Sequence, residues 1–182
     1  MTARGDGEAI LGPEEHPRAQ AEAVAATARQ AIRRLGLDRD DRVASALRSG
    51  RPGPPALVER LDEPGAAYWL VPWQVEGGVA FVAQVDAAGR EMLGASVFPE
   101  PVPSPVLPPD RAVALVRRRR ARLGPGAPRL VWMPCRQTTA PSRPFYEVPT
   151  EDGPVYVDMD GVVFDRPAPL GRGGAGAGAG TG

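Results

Sequence analysis

The sequence contains no lysine, no asparagine, one cysteine and one histidine, and its two isoleucines are Ile10 and Ile32. A single cysteine, Cys135, cannot form an intramolecular disulfide, which excludes a secreted fold built on disulfides. One cysteine and one histidine also fall short of the usual ligand count of a zinc site. A catalytic thiol needs a neighbouring base, but His16 lies at the end of an N-terminal region expected to be disordered. We therefore expect Cys135 to be an unreactive, buried or half-buried residue.

The charges of the chain balance, with 22 basic and 22 acidic residues. A chain without net charge has no overall field that steers it toward phosphates or anionic membranes. All the basic residues are arginines, and this skew indicates codon bias in a GC-rich genome rather than nucleic-acid binding. No apolar run approaches the ~18 residues needed to span a bilayer, and residues 1–6 lack the apolar core of a signal peptide. These features predict a cytoplasmic protein with no cofactor and with no membrane or nucleic-acid partner.

Composition divides the chain into five segments. Residues 1–15 have little apolar content and predict a disordered N-terminus, and residues 167–182, rich in glycine and alanine, predict a flexible tail. Residues 16–98 and 110–166 each begin with a helical pattern and continue with strand-like alternation. Residues 99–109 contain six prolines and predict a stiff linker between them. The predicted fold is α+β, with two repeated units, each an N-terminal helix followed by a three- to four-stranded antiparallel sheet.

One local pattern occurs in both predicted units. An apolar strand ends in Val-Asp, a turn closes at glycine, and a second apolar run follows; the two copies are residues 85–89 and 157–161. With a helix before each copy, opened in the second by Pro109 and Asp110, this pattern resembles PepSY-type domains and the wider cystatin-like architecture. The resemblance implies a non-catalytic domain that binds or inhibits other proteins. We therefore predict a protein-binding or accessory module with an unidentified protein partner, and self-association is the alternative.

The second copy of this pattern also supports an enzyme hypothesis. The segment from Asp158 to Gly161, which follows an apolar strand, resembles the first motif of haloacid-dehalogenase-type phosphatases. That resemblance implies Asp158 as nucleophile, Asp160 as general acid and base, and magnesium held by the carboxylates. The motif requires the C-terminal end of a buried parallel strand, yet only 17 residues follow Asp165 to supply the rest of such a site. An Asp-Gly hairpin turn is the preferred interpretation.

Charge is segregated within the second predicted unit. Residues 111–143 contain nine arginines and no acid, whereas residues 144–165 contain six acids and no base. The preferred interpretation is ion pairing within the unit together with a basic helix end, which the helix dipole favours. The alternative is a site for an anionic partner in segment 111–143. Its candidate residues are Arg117, Arg118, Arg119 and Arg120.

Large aromatic side chains are the remaining candidates for a partner surface. They lie in the predicted strands, and their simplest role is in the core of the sheets. Exposed aromatics would instead anchor an interface. The candidate partner-binding aromatics are Trp69, Trp73, Trp132 and Tyr146. We expect these side chains to be buried between the two units or, alternatively, against a second chain.

Overall fold

The computed structural model describes residues 15–119 and 121–170, which form α-helices and a set of strands that pair mostly in antiparallel fashion. The predicted α+β class is therefore confirmed. A 3-10 turn, Leu37–Arg39, separates the first two helices. The helices are α1 (Glu15–Arg34), α2 (Asp41–Ser49) and α3 (Pro109–Arg118). The strands are β1 (Arg51–Pro52), β2 (Ala56–Arg60), β3 (Ala67–Val75), β4 (Gly78–Asp86), β5 (Met92–Val102), β6 (Arg129–Trp132), β7 (Phe145–Val148), β8 (Val155–Val157) and β9 (Val163–Phe164).

The first of two compact units, unit 1, consists of the described residues up to 56 together with residues 68–103. Its strands follow the order β5-β4-β3-β1, and every pairing is antiparallel. Helix α1 places small and branched apolar residues at four-residue spacing, so that Val24, Ala28 and Ile32 form one buried stripe. This stripe and the buried face of α2 pack on alternate residues of β3 and β4, among them Trp73 and Phe81.

Unit 2 consists of residues 57–67 together with the described residues from 104 onward. Strand β2 pairs in parallel with β6, and β6, β7, β8 and β9 follow in antiparallel order. Helix α3 contacts β7 and β8. Phe145 is fully buried and makes edge-to-face contacts with Tyr156 and Phe164, and Cys135 lies in the same core cluster. The predicted burial of Cys135 is therefore confirmed.

Two boundaries differ from the predicted organisation. Residues 57–67 lie in unit 2 although the sequence assigned them to the unit of residues 16–98. Alternation of apolar residues identifies a strand but not its neighbour, and β2 pairs with a strand about 70 residues away. The predicted linker, 99–109, is partly structured, since β5 continues through Pro99 and Pro101 to residue 102 and α3 begins at Pro109. Proline is tolerated there because β5 is an edge strand.

The two ends of the chain were predicted to be disordered or flexible. Residues 1–14 and 171–182 lie outside the described residues, whereas Glu15 already belongs to α1. Within residues 167–170, predicted as part of the tail, Ala168 is hydrogen-bonded to the segment after β6. The backbone N–H of Ala168 donates to Gln137 Oε1 at 3.1 Å, and Arg136 N–H donates to the Ala168 carbonyl at 2.8 Å. None of the described helices combines the length and the apolar character needed to cross a membrane.

The Asp-Gly turns predicted from the sequence are present in both units. Asp86 Oδ1 accepts two backbone N–H groups, four and five residues further on, both at 2.6 Å. Asp158 Oδ1 accepts two, from residues two and four further on, at 3.0 and 2.8 Å. Each turn closes at a glycine with a positive φ, 71° at Gly89 and 83° at Gly161, where other residues are strained. The aspartates thus organise turns by binding the backbone.

The Asp86 turn should make the stability of the protein depend on acid. Hydrogen bonds from the backbone N–H groups of Glu91 and Arg90 hold the pKa of Asp86 below its ordinary value of 3.8. A lowered pKa in the folded state gives stability that is complete above about pH 5 and is lost as pH falls through the folded pKa. Asp86→Asn should therefore make the free energy of unfolding fall less steeply as the pH is lowered. Asp86→Ala should lower the free energy of unfolding by about 1 kcal/mol even at neutral pH.

Urea unfolding followed by circular dichroism, from neutral to strongly acidic pH, measures this difference. Asp152→Asn is the matched control, because Asp152 is exposed and its carboxylate takes part in no hydrogen bond or ion pair of the described residues. If the free energy of unfolding of Asp86→Asn falls in acid as steeply as those of the wild type and the control, the attribution of this acid dependence to Asp86 is contradicted.

Candidate functional site

An apolar groove opens in unit 1 between the helices and strand β5. Its volume is about 410 Å³. Buried side chains form its floor: Ile32, Val43, Phe81 and Met92. Exposed leucines form its rim, with exposed fractions of 57% at Leu35, 37% at Leu37 and 58% at Leu93. Large apolar side chains that are exposed together around a concave apolar surface are typical of a binding site. We call this feature the β5 groove.

The connection between α1 and α2 explains why the groove stays open. Helix α1 ends at Arg34, the chain turns at Gly36 with φ of 68°, and a 3-10 turn leads to α2. This connection is too short to fold back over the sheet. It carries Leu35 and Leu37, whose side chains are left at the corner between the two helices instead of entering the core. The geometry of the helix corner thus creates the apolar rim.

Strand β5 forms the other wall of the groove and has an open edge. Among the described residues it pairs with β4 alone, regularly from Gly94 to Val97 and with shifts of register on either side. Residues 92–98 carry no charged side chain, and proline appears only from Pro99 onward. Natural edge strands are commonly protected by charges, prolines or bulges. Residues 94–97 contain no charge and no proline, and they pair with β4 without a bulge. The backbone N–H and C=O groups that point away from β4 are therefore available to another strand.

Arginines surround a polar recess of about 420 Å³ that adjoins the groove and shares Leu35 and Gly36 with it. Three arginines line this recess, Arg33, Arg34 and Arg39. All three side chains are exposed, and none forms an ion pair with a carboxylate of the described residues. Asp38 is the acidic residue of the recess. The apolar groove thus has a basic neighbour.

Asp40 lines the groove itself, but its carboxylate is already engaged. Its Oδ1 atom accepts the backbone N–H groups of Arg42 at 2.9 Å and Val43 at 3.3 Å, which caps the N-terminus of α2. Its Oδ2 atom lies 3.5 Å from the Arg42 guanidinium. The N–H groups of Val43 and Arg42 also hold the pKa of Asp40 below its usual range. Asp40 therefore remains ionised as a helix cap, and Arg42 balances its charge.

The candidate aromatic residues belong to the interior. Trp73 is fully buried, stacks on Phe81 with 5.2 Å between ring centroids, and donates its indole N–H to the Ala46 carbonyl at 3.0 Å. Trp132 and Tyr146 are also buried, and burial raises the pKa of the Tyr146 phenol. The prediction that these three residues bind a partner is therefore corrected, because the structure places them in the core.

Trp69 is the candidate aromatic residue that keeps partial exposure. It packs at the margin of the unit 1 core and donates its indole N–H to the Ala87 carbonyl at 3.1 Å. The ring of this residue therefore supports the Asp86 turn. No exposed patch of the candidate aromatics exists in the part of the chain that the structure describes.

The basic and acidic segments of unit 2 pair with each other, as the preferred interpretation of the sequence predicts. Four arginines of segment 111–143 contact acids of segment 144–165. The pairs are Arg119 with Asp165 at 3.7 Å, Arg122 with Glu151 at 3.7 Å, Arg129 with Glu147 at 2.8 Å, and Arg143 with Asp160 at 2.5 Å. Arg117 and Arg118 are exposed and without an ion pair among the described residues, and Arg120 lies outside them.

Arg129 forms the most connected of these pairs. Its guanidinium also lies 2.5 Å from Glu59 on β2, and Tyr156 on β8 donates its hydroxyl to Glu147 at 3.2 Å. The Glu147 hydrogen bond raises the pKa of Arg129, so the group stays charged. The row joins β2, β6, β7 and β8 across one face of the sheet and braces the strands.

The phosphatase hypothesis requires a geometry that unit 2 does not have. Strand β8, which leads to Asp158, pairs in antiparallel fashion with both β7 and β9. Asp158 binds the backbone of its own turn, and Asp160 pairs with Arg143. Within the described ranges, no three histidine, cysteine or acidic side chains lie close enough to hold a metal ion. The Asp158 segment is a hairpin turn, the interpretation that the sequence favours.

Comparison with known proteins adds no family to this description. The chain matches no protein-family model, no curated protein and no solved structure.

The β5 groove is not among the candidate sites that the sequence indicates. Its signals in the sequence are the two leucines around Gly36 and the uncharged stretch of residues 92–98 that ends at Pro99.

Proposed function

We propose that the protein is a non-catalytic binding module that takes an extended segment of another protein into the β5 groove. The observation that carries this proposal is the position of exposed Leu35 and Leu93 on opposite sides of the groove, beside the open edge of β5. An added strand would satisfy the outer backbone groups of β5, and its alternate side chains would enter the groove.

The available contacts fit a weak, reversible interaction. Leu35 and Leu93 are each a little more than half exposed, so covering them contributes about 1 kcal/mol per side chain. Backbone hydrogen bonds contribute a further 0.5–1.5 kcal/mol or so each. Ordering the ligand segment opposes these gains. Affinities of roughly micromolar strength follow, as is common for modules that read short segments.

The two units support a related proposal, that both derive from one plan resembling PepSY-type and cystatin-like binding domains. In each unit the Asp-Gly turn lies against a helix that occurs earlier in the chain. A Cβ atom placed on Gly89 would lie 3.2 Å from Val24 of α1, and one placed on Gly161 would lie 3.2 Å from Leu115 of α3. The same turn against the same kind of helix is the shared feature, although unit 1 contains a second helix, α2.

Peptide selection tests the proposed function. Short random peptides displayed on phage are selected on the immobilised full chain, and the affinities of the enriched peptides are measured by fluorescence anisotropy. Leu93→Glu should weaken their binding about tenfold, because it removes an apolar contact and places a charge on the groove rim. Val162→Glu is the matched control, since Val162 is 58% exposed like Leu93 and lies in unit 2.

Circular dichroism checks that both variants fold, which we expect for substitutions at exposed positions. If Leu93→Glu and Val162→Glu weaken peptide binding equally, or if neither substitution weakens it, a binding site in the β5 groove is contradicted. Failure to enrich any peptide also counts against the proposed function.

A further inference from the structure

We propose that the segment bound in the β5 groove carries an acidic side chain next to its apolar anchor, and that Arg33, Arg34 and Arg39 receive this carboxylate. The occupant is an extended acidic–apolar segment of a partner protein. This inference rests on the proposed function and adds the chemistry of the ligand.

The charge of the polar recess is the first support. Three arginines and one aspartate line it, so its net charge is positive by two. The dipole of α1 explains basic residues in its last turn, where Arg33 and Arg34 lie. It does not explain Arg39, which follows the helix and whose side chain lies over Gly36. Three arginines that line one recess and have no ion pair among the described residues offer charge and hydrogen-bond donors to an anion.

The position of the recess is the second support. It shares Leu35 and Gly36 with the apolar groove, so one ligand can occupy both. In an extended segment, residues i and i+2 point to the same side and lie about 6.6 Å apart. An acid two residues from the anchor therefore reaches the arginines while the anchor stays in the groove.

The other charges at the groove do not oppose an acidic ligand. Asp40 is held as the cap of α2 and is balanced by Arg42. Residues 92–98 carry no charge at all. Complementary charges of this kind set specificity and association rate, and they weaken with salt because the arginines are exposed.

Two synthetic peptides test the inference. The first has acids on both flanks of an apolar centre (acetyl-Asp-Glu-Val-Leu-Val-Leu-Glu-Asp-amide), and the second replaces each acid with its amide. Their affinities are measured by fluorescence anisotropy at low and high salt. The acidic peptide should bind about tenfold more tightly than its amide twin at low salt, and this advantage should disappear at high salt.

Protein variants then assign the effect to the recess. The triple variant Arg33→Gln, Arg34→Gln, Arg39→Gln should bind both peptides equally. The control Arg111→Gln, Arg117→Gln, Arg118→Gln removes the same charge from exposed arginines of α3 that have no ion pair among the described residues, and it should keep the tenfold preference.

The outcomes separate the two proposals. Equal binding of both peptides to the wild type, reduced by Leu93→Glu, overturns the acidic preference and leaves the proposed function standing. If both triple variants lose the preference for the acidic peptide, the assignment of this preference to the recess is overturned. If neither peptide binds and no selected peptide is sensitive to Leu93→Glu, both proposals fail. Self-association that neither peptide displaces overturns the inference, because the occupant is then a second copy.

Discussion

Replacing Trp73 with alanine should lower the free energy of unfolding by about 4 kcal/mol, the scale of loss for a large buried aromatic residue. Its ring is fully buried between the helices and the sheet of unit 1, where it stacks on Phe81. Its indole N–H also binds the Ala46 carbonyl on α2, so the substitution removes a hydrogen bond as well as a contact. Because Phe81 lies in the floor of the β5 groove, the same change should loosen the groove.

Trp69→Ala is the matched control for this measurement. Trp69 lies on the same strand and also donates its indole N–H to a carbonyl, but it is only half-buried. We expect a loss of about 1–2 kcal/mol, since less apolar surface returns to water. Guanidinium unfolding followed by circular dichroism gives both values. Equal losses for the two tryptophans contradict the placement of Trp73 at the centre of the core.

Local sequence was sufficient for features whose hydrogen bonds are local. The Asp-Gly turns at Asp86 and Asp158 were predicted because carboxylate, backbone N–H groups and closing glycine lie within a few residues. The stripe of α1 was predictable from its spacing, and the ion pairs of unit 2 from the segregation of charge along the chain. In each case the interacting groups are adjacent in sequence or complementary in bulk composition.

Features that depend on distant pairing were not predictable in the same way. The strand pattern of β2 contains no information that its partner is β6, so residues 57–67 were assigned to the wrong side of the division. The prolines at 99 and 101 indicated a linker because the position of β5 at the edge of a sheet was unknown. Aromatic residues do not indicate which face of a sheet is covered, and the sequence therefore leaves Trp73 a candidate for a partner surface although the structure buries it.

The β5 groove belongs to this second group. Its walls come from two helices and a strand that are separated by some 50 residues, and no local pattern joins them. Leu35 continued the apolar stripe of α1 in the sequence, and only the turn at Gly36 leaves it on the rim. The absence of charge in residues 92–98 becomes informative once β5 is known to be an edge strand.

Addition of a strand to β5 is tested most directly by methylating the backbone nitrogens of a bound peptide, one position at a time. In a paired strand, alternate residues direct their N–H groups toward the neighbouring strand. A methyl group at such a position removes a hydrogen bond and blocks close approach, and it should weaken binding by about tenfold to a hundredfold. At the intervening positions the N–H points away from β5, and the affinity should change little.

The measurement is a methylation scan of one peptide that Leu93→Glu weakens, with affinities from fluorescence anisotropy on the full chain. Losses that alternate with a period of two residues along the central part of the peptide are the predicted result. A profile without that alternation contradicts strand addition at the open edge of β5 and, with it, the proposed binding mode.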